Sequence, residues 1–69
     1  MMPDTAHHLA EANKHVAEAA ARIDQQRRLI EQLRADGHDT ESAERLLASF
    51  VGVLSAMEGH RDLMLSKTD

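Results

Sequence analysis

Apolar residues recur along the first half of the chain at alternating steps of three and four. Leu9, Val16, Ile23 and Ile30 stand seven apart, and Ala12, Ala19, Gln26 and Leu33 follow each of them by three. This is the a/d seam of a helix that packs lengthwise against another. The second half keeps the same period through Ala43, Leu47, Phe50, Leu54, Met57, Arg61 and Met64. Between the two stretches, Gly37 suits a left-handed helix end, Asp39 or Thr40 can cap the next helix, and Glu41 and Glu44 stand near its positive end. The pattern predicts an all-α chain with helices over about 4–36 and 40–66, joined by about three residues. So short a link makes the helices antiparallel neighbours.

Residues 1–69 therefore read as one helical-hairpin domain, frayed at 1–4 and 67–69. Pro3 can precede the first helix, Asp4 or Thr5 can cap it, and the turn carrying His7 and His8 is expected to overhang and fray. Folding about His38 sets Leu33 near Ala43, Ile30 near Leu46 and Leu47, Ile23 near Val53 and Leu54, and Gln26 near Phe50. It also turns the small residues Ala17 to Ala21 toward Met57 and brings Val16 to His60 and Arg61. The expected core is Leu9, Val16, Ile23, Ile30 and Leu33 against Leu47, Phe50, Leu54, Met57 and Met64. Glu18 with Arg22 and Asp24 with Arg28 are spaced for acid-first i,i+4 pairs on the flanks.

The back of the second helix breaks the pattern of an exposed surface. From Leu46 to Met57, twelve residues pass without a charge, and positions that ought to meet solvent hold Ala48, Ser49, Gly52, Ser55, Ala56 and Gly59. Each internal glycine costs a helix about 1 kcal/mol relative to alanine. A run that is apolar all round asks to be buried all round, and one neighbouring helix covers only one face. Ala48, Gly52 and Ala56 fall at i, i+4 and i+8, a small-residue groove with Leu46, Val51 and Val53 on its flanks. The expectation is a homodimer: two copies of the second helix cross antiparallel near Gly52 and two hairpins form a four-helix bundle. A similar helix from a heterologous protein is the alternative occupant.

Size points the same way. A chain of 69 residues buries too little surface for a comfortable margin of stability, and without cysteine no disulfide can add to it. Oligomerisation is the remaining common remedy. The net charge of −4 lies mostly beyond Asp36, where Asp39, Glu41, Glu44, Glu58, Asp62 and Asp69 outnumber Arg45, Arg61 and Lys67. That half repels a phosphate backbone. Arg22, Arg27, Arg28 and Arg34 form the one basic cluster, and Asp24 and Glu31 dilute it, so a solvated helix face is expected ahead of a nucleic-acid interface. With Phe50 as the sole aromatic, base stacking is unavailable.

Candidate chemistry is sparse. His7, Glu11 and His15 share a helix stripe, yet three ligands spread over two turns do not converge on one ion, and no fourth is specified. Glu-x-x-His pairs of di-metal bundles are missing, as are a Gly-rich phosphate loop and a Ser/His/Asp set. The expected chain is non-enzymatic, without metal or cofactor. The segment after Met1 to Thr5 is too polar for a secretory h-region, and twelve uncharged residues fall short of the ~20 that span a membrane. A cytoplasmic protein is expected, and the lack of cysteine fits a reducing compartment.

Three resemblances add to this reading. Leu33 to Leu47, LRADGHDTESAERLL, resembles the turn of small bacterial helical-hairpin proteins that carry ADGHDT followed by an AERLL helix start. That likeness implies a small bacterial hairpin protein and no particular activity. In architecture the chain resembles the Rop family of plasmid RNA-binding proteins, dimers of two-helix hairpins, which implies a nucleic-acid-binding regulator using the first-helix arginines as an alternative function. His60, followed by Arg61 and Asp62, resembles the phosphoacceptor of four-helix histidine phosphotransfer modules in its His and acid, without their downstream proline. A phosphotransfer role for His60 is the third alternative.

Overall fold

The computed structural model describes residues 5–66, and two helices account for nearly all of them: α1, Thr5–Ala35, and α2, Glu41–Ser66. The inner bounds, Ala35 and Glu41, fall within one residue of those the apolar period predicts, and the outer ones stand at the edge of the described residues. The cap expected from Asp4 and the frayed ends at 1–4 and 67–69 lie outside the described residues. α1 is helical through His7 and His8.

The connection is built by its sequence. Gly37 takes φ 78°, its N–H donates to the Arg34 carbonyl at 3.1 Å, and the His38 N–H donates to the Leu33 carbonyl at 2.9 Å. These paired bonds satisfy two carbonyls that a helix end leaves open, and glycine reaches that φ at little cost. Asp39 then caps α2: its Oδ1 accepts the Glu41 N–H at 3.0 Å, while the Thr40 carbonyl accepts the Glu44 N–H at 2.9 Å and starts the ladder. Arg34 closes the turn from the other side, with Nη2 3.0 Å from Glu44 Oε1. Its partner Glu44, like Glu41, sits in the first turn of α2, where negative charge is favourable.

α1 and α2 pack side by side along the expected seam. All fifteen a/d positions from Leu9 to Met64 are at least partly shielded, and among the described side chains only Thr40 and Glu58 join them. Two shallow clefts between the helices fix the register. Ile30 and Arg34 share one with Glu44 and Leu47, and Ala19 and Arg22 share the other with Met57. Of the run Ala17 to Ala21, only Ala19 lies on the seam; Ala17, Ala20 and Ala21 are exposed. The flanking pairs expected between Glu18 and Arg22 and between Asp24 and Arg28 are not formed. Exposed ion pairs gain little over the side-chain entropy they cost.

Deep burial is confined to one stretch of α1: Ile23, Gln26 and Ile30 are 5%, 8% and 6% exposed. Gln26 is accommodated by donating from Nε2 to the Ala43 carbonyl at 2.9 Å. Toward the open end the seam becomes more polar, as expected. Arg61 lies there with its Nε shielded and unpaired, its Nη2 reaching Asp62 at 3.4 Å.

The hairpin is thin. It measures 57 × 16 × 14 Å, and its radius of gyration is 16.2 Å where a compact chain of this length would have about 11 Å. Its surface of 5405 Å² exceeds the about 4,300 Å² that area scaling gives for a folded monomer of this mass.

Candidate interaction surface

α2 contains no buried residue. Leu47, Phe50, Leu54, Met57 and Met64 meet α1 and are half-covered by it, while Leu46, Val51, Val53, Leu63 and Leu65 stay exposed. One helix of diameter similar to α2 shields about a third of its circumference, so a helix apolar on more than one side keeps a surplus.

That surplus has sides. At about 100° per residue, Ala48, Gly52 and Ala56 lie nearly opposite the seam, on the face turned away from α1. Leu46, Ser49, Val53, Ala56, His60 and Leu63 form a second stripe about 100° from the seam on one flank, sharing Ala56 with the groove. Val51 lies on the other flank, the side on which Arg34 pairs with Glu44. In an antiparallel pair the g positions of both helices border the same side. Leu29 of α1 therefore borders the flank of Leu46 and Val53, and the three are 45%, 46% and 50% exposed. The groove and the apolar flank are thus adjacent faces of α2.

Every other position of the expected interface is exposed as well: Ala48, Ser49, Gly52, Ser55, Ala56 and Gly59. A Cβ added to Gly52 or Gly59 meets nothing within 4 Å. Nothing inside the chain requires these glycines, although each weakens α2 by about 1 kcal/mol. Ser49 donates its hydroxyl to the Arg45 carbonyl at 3.2 Å, which leaves the oxygen able to accept.

The remaining candidates do not assemble into a site. His7 Nε2 lies 3.3 Å from Glu11 Oε1, and no group of three His, Cys, Asp or Glu that could hold a metal occurs among the described residues. Arg22, Arg27 and Arg28 are exposed, while Arg34 is engaged by Glu44. His60 is exposed on the apolar flank. No described helix is long and apolar enough to cross a membrane. The sequence reading missed the Gln26 to Ala43 bond and the position of His60 and Leu63 on that flank. The spacing of 46, 49, 53, 56, 60 and 63 carried the second signal. No family model, curated protein or solved structure matches the chain.

Proposed function

We propose that this chain is a non-enzymatic helical interaction module that works as a homodimer, two hairpins joining through α2 into a four-helix bundle. The carrying observation is that α2 has no buried residue while its apolar side chains continue past the seam. Covering Leu46 and Val53 is worth up to about 1.5–3 kcal/mol each when burial is complete. A standard interface buries roughly 1,200–2,000 Å² in total, and the excess surface of this slender hairpin is of that order per chain.

The test is the concentration dependence of thermal unfolding. Folding linked to dimerisation raises Tm with protein concentration. A Tm that rises by several degrees across a hundredfold range supports the module as a homodimer; a constant Tm rules the homodimer out and leaves a different protein's helix as the remaining occupant to test.

A further inference from the structure

The exposed flank of α2 suits a second copy of itself. Leu46, Ser49, Val53, Ala56, His60 and Leu63 are spaced 3, 4, 3, 4, 3, a sequence that reads the same in both directions. Two copies laid antiparallel about a two-fold axis level with Leu54 and Ser55 would meet residue for residue. Leu46 faces the second copy's Leu63, Val53 its Ala56, and Ser49 its His60. Large meets small at the centre, apolar meets apolar at the ends, and the two polar groups meet each other. The Ser49 oxygen, its hydrogen already directed at the Arg45 carbonyl, can accept from an imidazole N–H.

Ala19 and Arg22 beside Met57 put the stretch around residues 20–21 of α1 level with Met57, so the two-fold crosses α1 nearer Ile23. Leu29, on the same flank of α1 and 45% exposed, adds apolar surface to the contact. Resting on the homodimer reading above, we infer that the hairpins pair all-antiparallel across the Leu29, Leu46 and Val53 flank. The axis passes near Leu54 and Ser55 rather than Gly52, and Ser49 to His60 is the polar contact that sets the register. Using the flank at about 100° from the seam gives a square bundle; stacking on the Ala48, Gly52, Ala56 groove would give a flat row of four helices instead.

Cysteine cross-linking tests this directly, since the chain has no cysteine of its own. In Ser49→Cys/His60→Cys, mild oxidation should give a disulfide-linked dimer. Each single variant should give almost none, because like residues then stand about 16 Å apart along the helix axis. Gly52→Cys, which would link if the axis passed through Gly52, should also stay unlinked. Circular dichroism and sedimentation of the reduced variants establish that they remain helical and dimeric. A dimer that links efficiently through Gly52→Cys, or that fails to link through the double variant, overturns this register and leaves the homodimer intact. A wild-type chain that sediments as a monomer removes the homodimer and this inference together.

Discussion

Gln26 and Ala43 are joined across the hairpin by a 2.9 Å bond from the amide Nε2 to the main-chain carbonyl. Gln26 is the only buried polar residue among those described, and it sits between Ile23 and Ile30 on the seam. A buried amide must find a partner or cost about 1–3 kcal/mol, and a donor that reaches one particular carbonyl favours one alignment of the helices over its neighbours. This bond therefore contributes more to alignment than to stability.

Replacing Gln26 should show this. The Ala43 carbonyl belongs to the ladder of α2 and is not orphaned by the loss, while leucine adds apolar surface to the same layer. Gln26→Leu is expected to stabilise the chain by about 1 kcal/mol, raising Tm by roughly 4–8 °C for a domain of this size. Thermal denaturation followed by circular dichroism decides it, and a lowered Tm would show that the bond outweighs the burial.

The three glycines should separate into two classes. Gly37 holds φ 78° in open space, so Gly37→Ala carries only a backbone penalty and should cost about 1–2 kcal/mol. Gly59 is helical with nothing within 4 Å of an added Cβ. Gly59→Ala should stabilise α2 by up to about 1 kcal/mol. Urea unfolding of both variants checks the signs; equal effects would contradict the turn geometry.

Asp39 is the cap of α2, with its carboxylate on the Glu41 N–H at 3.0 Å. Asp39→Ala should destabilise by about 0.5–2 kcal/mol, whereas Asp39→Asn, which keeps an acceptor, should cost little. If the two variants unfold at the same urea concentration as the parent, the cap contributes nothing.

Seam and flank should respond differently to substitution. Ile23→Ala empties a buried site and should cost about 2–5 kcal/mol, enough to unfold a hairpin this thin. Val53→Asp changes a side chain that is 50% exposed and outside the seam, and places a charge on the flank, so it should abolish self-association first. Its helicity should then fall on dilution more steeply than that of the parent. Mass and circular dichroism measured together distinguish the two outcomes.

The seam was fully legible in the sequence because one physical demand, burial along a period of 3.5 residues, selects every position from Leu9 to Met64. Gly37 and Asp39 were legible because few residues tolerate a positive φ or offer a carboxylate to a helix start. The Gln26 bond was not, since which carbonyl a long amide reaches depends on the offset between helices, and periodicity leaves that free by several ångströms. Similarly, the uncharged run announced that α2 has more than one apolar side, but charge alone does not say which side. The positions of Leu29, Leu46 and Val53 relative to the Arg34 to Glu44 pair make that distinction.

Sedimentation equilibrium of the unmodified chain at micromolar concentration tests the central claim most directly. The account predicts a species of twice the 7.7 kDa chain mass that dissociates, with loss of helicity, on dilution. A stable, fully helical 7.7 kDa monomer across the same range would contradict it.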